Sequence, residues 1–260
     1  LFLFIFRRYE TKLILRISGL PKMTFFRKIL WKLSIKKIYK ITCPTMDTYK
    51  DLSKFEFLKG KLTVLRDPII HCAEIHKTAH KETNITNEAD AVISKKEFFL
   101  SIGRFTKQKN FLFYLECIPE ILKLNKDLFF LFIGHGEDKN SFLKLAQKLN
   151  ILDRILLIDY TNNVHFFMNK SKAFVLTSLW EDPGFVLVES GFNNCQVISS
   201  DCPNGPLEII GNDGGYLFKS NSKTSFINII KNFLNDTDEN RFLKKIALKK
   251  RVKNFTSFQH

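Results

Sequence analysis

From residue 98 onward the apolar positions switch repeatedly between two periods. Short β-branched and aromatic runs of four to six residues recur at 98–102, 128–133, 155–158, 173–177 and 196–199. Between and after them, Asn110 to Leu124, Lys139 to Leu149 and Ser225 to Leu234 carry helical spacing, and a basic helical tail follows Asp236. Strands alternating with amphipathic helices predict a parallel sheet covered on both faces, and right-handed crossovers would order it as a Rossmann-like sheet. The first ninety or so residues are less regular. Strands are predicted at 13–18, 37–42 and 61–65 with helices between, as in the trailing part of another α/β domain. The polar stretch from His71 to Lys96 reads as a connection, so the expected domains are 1–95 and 96–260.

Composition changes this picture little. A hydrophobic content of 45% over 260 residues supports buried cores. No run reaches the roughly 18 apolar residues of a membrane span, and Leu1 to Phe6 is too short for a span and too poorly flanked for a signal peptide. The chain begins at Leu1 without an initiator methionine and stops at His260 inside a helical pattern, so both ends are expected to be cut. A formal charge of +15 favours polyanions or an anionic membrane surface. The abundance of Lys, Ile, Asn and Phe is also what an AT-rich coding sequence produces, which reduces the weight of that charge. The five cysteines are odd in number and form no C-x-x-C pair, pointing to reduced thiols in a cytosolic setting. His71, His76 and His80 lie in a polar segment without a carboxylate ligand pattern, and no metal site is predicted.

The chemistry concentrates after the predicted strands. Glu181-Asp-Pro-Gly-Phe-Val-Leu-Val-Glu189 follows the apolar run at 172–179, so its two acids fall beyond a strand's carboxyl end, where open α/β sheets bind ligands. Asp182 suits a cap, Pro183 the first helical position, and a helix is expected to open near Gly184 with anion-attracting N–H groups. Gly103-Arg104-Phe-Thr-Lys-Gln-Lys109-Asn110 also lies between a strand and a helix, and its Arg and Lys suit the two phosphates of a diphosphate. Alone this would be a solvated basic turn; beside the acidic loop the ligand reading gains. Gly134-His135-Gly136 is half of a dinucleotide fingerprint, with Lys139 where the third glycine would stand. By itself it predicts a tight turn, and its glycine also allows close approach of a sugar or base.

Two further segments carry plainer readings. In Ser199 to Ile209, Pro206 opens a helix and Glu208 caps it, without a catalytic partner. The stretch Phe25 to Ile38 places Phe25, Phe26, Ile29, Leu30 and Leu33 on one stripe among lysines. That stripe packs on a sheet or lies on a membrane surface, and Trp31 with the paired lysines favours the interface.

Together, Ser101-Ile-Gly-Arg-Phe-Thr-Lys-Gln-Lys-Asn110, Gly134-His-Gly136, Ser178-Leu-Trp-Glu181-x7-Glu189 and Ile198 to Ile209 resemble the family 4 retaining glycosyltransferases of the GT-B fold, in that family's order and over roughly residues 96–235. The resemblance implies an α/β GT-B protein. Its Rossmann-like C-terminal domain would bind a nucleotide diphosphate sugar, and an N-terminal acceptor domain would be present only in part. Carried over by residue, Arg104 and Lys109 would hold and neutralise the departing diphosphate, a task met without a metal or another cofactor. Glu189 would accept from the ribose hydroxyls and Glu181 from those of the transferred sugar. Gly184, Phe185 and Val186 would present N–H groups, while Gly103 and Gly134 would line the crevice. Asp182 departs from the glycine common in the family, and Pro183-Gly184 departs from its aromatic-proline order.

The implied activity is transfer of a sugar, with retention, to a cell-surface glycan or lipid-linked acceptor. It would take place in the cytoplasm or at the inner face of the cytoplasmic membrane, with residues 22–40 contacting anionic lipid. The alternatives are a noncatalytic sugar-nucleotide binding remnant and a basic nucleic-acid binding protein. The latter lacks interleaved basic and aromatic motifs, and no nucleic-acid partner is expected.

Overall fold

The computed structural model describes residues 10–19, 21–70 and 93–257. Residues 71–92, with Cys72, His71, His76, His80 and most of the expected connection, lie outside the described residues, as does the apolar start from Leu1 to Phe6. The chain divides into two compact units, Leu1–Asp67 and Pro68–His260. That division falls well before 95/96. Ile70 and Ile93 are the physical reason: both are buried in the core of the second unit, and Ile70 N–H donates to Phe255 O at 3.1 Å.

The first unit is a parallel sheet in the order β1-β2-β3, formed by β1 (Leu13–Arg16), β2 (Ile38–Cys43) and β3 (Leu62–Val64). Helix α1 (Phe25–Ser34) continues into a 3-10 turn, Ile35–Lys37, and helix α2 (Met46–Ser53) is capped by Thr45, whose hydroxyl accepts from Thr48 N–H at 3.1 Å. Trp31, Ser34 and Ile35, spaced three and four apart, turn the inner side of α1 to the core. Trp31 therefore belongs to the core rather than to an interface. The stripe instead faces outward, with Phe25 73% and Phe26 76% exposed.

The second unit holds a six-stranded parallel sheet in the order β6-β5-β4-β7-β8-β9. Its strands are β4 (Phe98–Ile102), β5 (Phe129–Ile133), β6 (Ile155–Ile158), β7 (Ala173–Leu176), β8 (Val197–Ser200) and β9 (Tyr216–Phe218). The connecting helices are α3 (Phe111–Leu124), α4 (Lys139–Lys148), α5 (Val164–Lys170), α6 (Phe185–Phe192), α7 (Pro206–Ile210), α8 (Lys223–Asn235) and α9 (Asp238–Val252). Continuous burial of β4, β5, β7 and β8 matches their unbroken apolar runs, as parallel strands covered on both faces require. Phenylalanines lock one helical layer to the sheet edge-on, Phe132 and Phe142 having ring centroids 4.9 Å apart.

The chain steps outward from β4 to β5 and β6, then returns to lay β7 against the other side of β4. This reversal of strand order opens a crevice beyond the carboxyl ends of β4 and β7. Two elements had no clear hydrophobic signature. β9 has three residues after Gly214-Gly215, and α5 is a seven-residue helix whose start is fixed by the Asn163 side chain accepting from Phe166 N–H at 3.2 Å. Likewise α8 begins two residues before the predicted Ser225, because the Ser222 hydroxyl accepts from Ser225 N–H at 3.4 Å.

Candidate active site at the carboxyl edge of the sheet

The turn after β4 and the turn after β5 are joined through their backbones. Gly103 N–H donates to Ile133 O at 2.9 Å, Phe105 N–H to His135 O at 2.9 Å, and Gly134 N–H to Ile158 O at 2.8 Å. Gly134, at φ 144°, is forced to be glycine: a Cβ there would stand 2.0 Å from Gly103 O. His135 is exposed, and its backbone carbonyl does the joining. Lys139, in place of the third fingerprint glycine, ion-pairs with Asp159.

The basic turn is next fastened to the loop after β7. Leu179 N–H donates to Gln108 O at 2.8 Å, Gln108 Nε2 donates to Trp180 O at 3.0 Å, and the Thr177 hydroxyl donates to Lys109 O at 2.9 Å. The Lys109 side chain lies over Gly103, where an added Cβ would sit 2.9 Å from its Cε. Lys109 Nζ meets Glu181 Oε1 at 2.6 Å, across 72 residues of sequence. The Ser178 hydroxyl donates to the same oxygen at 2.6 Å. Glu181 is 4% exposed, so two donors hold a carboxylate that has little access to water. Its Oε2 makes no hydrogen bond among the described residues. Arg104 is exposed, without an ion pair among the described residues.

Helix α6 opens at Gly184, which occupies the left-handed region at φ 87°. Pro183 is therefore not the first helical residue: it precedes the cap and follows Asp182 through a cis peptide bond. The first turn, from Phe185 to Leu187, presents backbone N–H groups without acceptors of their own in the preceding turn, apart from Leu187 N–H, which reaches Gly184 O at 2.9 Å. One turn further on, Glu189 is partly buried, and desolvation raises its carboxyl from 4.5 to about 7. Its side chain has no hydrogen-bond or ion-pair partner among the described residues.

Three contributors did not stand out in the sequence. Ser178 opens the block Ser178-Leu-Trp-Glu181, yet a hydroxyl three residues before an acid is common in any loop and suggests no role by itself. Asn193 donates through Nδ2 to Glu189 O and to His165 Nδ1, each at 2.8 Å, tying α6 to α5. That contact makes His165 Nδ1 the acceptor and puts the ring proton on Nε2, and burial lowers the imidazole's pKa, which favours this neutral form.

Elsewhere the chemistry is quiet. Cys43, Cys117, Cys195 and Cys202 are free and buried, and desolvation pushes their thiols up to about 11 or 12, away from thiolate reactivity. Among the described residues no helix is long and apolar enough to cross a membrane.

A six-stranded parallel sheet in one unit and a smaller parallel α/β unit match the fold of GT-B glycosyltransferases. The structure of Anabaena HepE in complex with UDP superposes with a TM-score of 0.80 over 95% of this chain and 69% of that one, at 11% identity, which shows the fold. The family described as glycosyl transferases group 1 matches residues 84–250, more than half of the chain, and the chain belongs to that family. A glycosyltransferase of Methanocaldococcus jannaschii, itself uncharacterized, is 31% identical over 77% of this chain and 51% of its own length. The N-acetylgalactosamine-N,N'-diacetylbacillosaminyl-diphospho-undecaprenol 4-alpha-N-acetylgalactosaminyltransferase of Campylobacter jejuni is 32% identical over 95% of this chain and 66% of its own length. The chain thus spans between half and two thirds of the length of these two relatives.

Proposed function

We propose that the crevice binds a nucleotide diphosphate sugar and that the protein transfers the sugar, with retention of configuration, to a glycan or lipid-linked acceptor. The observation that carries this reading is the ion pair between Lys109 and Glu181, which brings a cationic turn, an acid and a helix N-terminus together at the switch point. In this reading Arg104 and Lys109 take the diphosphate, with the N–H groups of Gly184, Phe185 and Val186 facing the sugar or the nearer phosphate. Glu181 Oε2 is free to accept from a sugar hydroxyl, and Glu189 takes the ribose. Gly103 makes room for the Lys109 side chain and Gly134 for the close approach of the two turns, and together they shape the crevice floor. The leaving diphosphate is stabilised by these cations and dipoles, with neither a metal nor another cofactor assigned a task. The named acceptor of the Campylobacter relative, a diphospho-undecaprenol glycolipid, supports the acceptor class. The exposed apolar face of α1, flanked by Lys22, Arg27, Lys28 and Lys32, supports contact of residues 22–40 with an anionic membrane at the cytoplasmic side.

Calorimetry of the 260-residue chain against UDP- and GDP-sugars tests the donor assignment. One nucleotide class binds, and Lys109→Ala lowers its affinity by roughly a hundredfold, as loss of a charge-assisted contact to phosphate predicts. Absence of binding to every nucleotide sugar would falsify the donor reading. Retention is checked separately by the anomeric configuration of a transferred product in NMR spectra.

A further inference from the structure

Helix α9 has an inner and an outer face of opposite character. Its inner face is seated on the helix that carries Glu189: Leu248 and Val252 are buried, and a Cβ on Gly191 of α6 would lie 2.6 Å from Leu248 Cγ and 3.0 Å from Val252 Cγ1. Contact this close holds α9 in one orientation. Its outer face carries Phe242, 61% exposed, and Leu243, 55% exposed, with Ile246 a turn further on. Ile246 and Lys250 form a ridge between two shallow grooves of about 460 and 630 Å³. Beyond the apolar cluster, Lys250 and Lys253 are exposed and have no ion-pair partner among the described residues. Lys249 is instead anchored, donating to Phe192 O at 2.8 Å. Along the helix stand six cations, Arg241, Lys244, Lys245, Lys249, Lys250 and Arg251, against Asp238 and Glu239 in its first turn.

We propose that the outer face of α9 docks this protein on an anionic lipid bilayer, with Phe242 and Leu243 entering the boundary between headgroups and acyl chains while Lys250 and Lys253 meet headgroup phosphates. Charge complementarity selects an anionic partner, and two large apolar side chains held beside the cations select one with an apolar layer beneath its charge. A nucleic-acid backbone offers the first feature without the second. A second copy of a chain with formal charge +15 repels this face. The inference deepens the membrane location proposed above, but on a different unit from residues 22–40, and it does not rest on the donor assignment.

Sedimentation of the 260-residue chain with vesicles tests it, using phosphatidylcholine alone and phosphatidylcholine mixed with phosphatidylglycerol. The protein is expected to bind the anionic vesicles and not the neutral ones. Replacing two surface cations, Lys250→Gln with Lys253→Gln, weakens binding roughly thirtyfold. Phe242→Ser with Leu243→Ser weakens it roughly tenfold or more through lost apolar burial. Both pairs replace exposed side chains, so circular dichroism and nucleotide affinity stay at wild-type values, which separates this result from failure of the donor site. Adding Phe25→Ser and Phe26→Ser leaves the α9 effects in place. The proposal is overturned if both α9 variants bind like wild type, or if only the lysine variant weakens binding, the pattern of a simple polyanion contact. Dispersal of a dimer by the Phe242 and Leu243 variant in sedimentation velocity also overturns it.

Discussion

Glu181, in the loop after β7, and Glu189, on α6, are eight residues apart in sequence, yet their surroundings treat a carboxylate in opposite ways. Glu181 is nearly excluded from water and is held by a lysine and a hydroxyl on a single oxygen. Glu189 has more access to solvent but no side-chain partner among the described residues, and desolvation moves it to about 7. The loop satisfies its charge with protein groups, so a ligand cation is not needed there and a ligand anion must compete for Lys109. The helix leaves its acid unsatisfied, so a donor of hydrogen bonds gains by arriving. The two acids are thus separated by environment into a held charge and a receptive one.

The largest expected effect breaks the held side of this comparison. Lys109→Ala leaves Glu181 buried with Ser178 alone, and removing one partner of a buried pair costs about 3–5 kcal/mol. Urea unfolding of the single variant measures this. The double variant Lys109→Met with Glu181→Gln, which removes both charges, should recover much of the loss. A single-variant loss under about 1 kcal/mol would mean that water screens the pair and that the contrast with Glu189 is smaller than its burial suggests.

How much of this contrast was legible beforehand depends on its range in sequence. The strands β4 to β8 and the helix start near Gly184 follow from local apolar runs and glycine placement, so they were readable. The crevice was readable too, because a switch point follows from strand and helix alternation. What could not be read is which partner each acid finds. Lys109 lies 72 residues from Glu181, and Asn193 meets His165 across 28; neither distance leaves a periodic trace. Pro183 was misplaced for a related reason: proline at a helix start is a local preference, while here the loop passes through a cis bond and hands the cap to Gly184. On α1 the stripe of large apolar residues was visible, but Trp31 and Ile35 decided which side faced the sheet, and that choice is tertiary.

An effect of intermediate size tests the receptive acid. Because Glu189 holds its proton up to about pH 7 when folded and only to about 4.5 otherwise, the folded state binds more protons between those values. Stability therefore falls as pH rises through that window and levels off above it, with an amplitude on the order of 3 kcal/mol. Glu189→Gln removes this component and is more stable than wild type at pH 8, while the two match near pH 4. Thermal unfolding at several pH values reads the difference. An unchanged slope between pH 5 and 7 in the variant would place the proton elsewhere, and Glu189 would then be as satisfied as Glu181.

The smallest expected effect asks how firmly Glu181 is held. Ser178→Ala removes a hydroxyl that donates to a buried charge at 2.6 Å, a contact worth about 1.5 kcal/mol of stability. Its second consequence has a definite direction. With Ser178 gone, Oε1 has Lys109 as its one remaining donor, the ion pair tightens, and a diphosphate competes less well for the lysine. Ser178→Ala should then weaken nucleotide diphosphate affinity by severalfold although the hydroxyl touches no phosphate in the proposed arrangement, and a nucleoside monophosphate, which makes fewer demands on Lys109, should be affected less. If both nucleotides instead lose affinity equally, Ser178 shapes the loop as a whole rather than sharing the charge of Glu181 with Lys109.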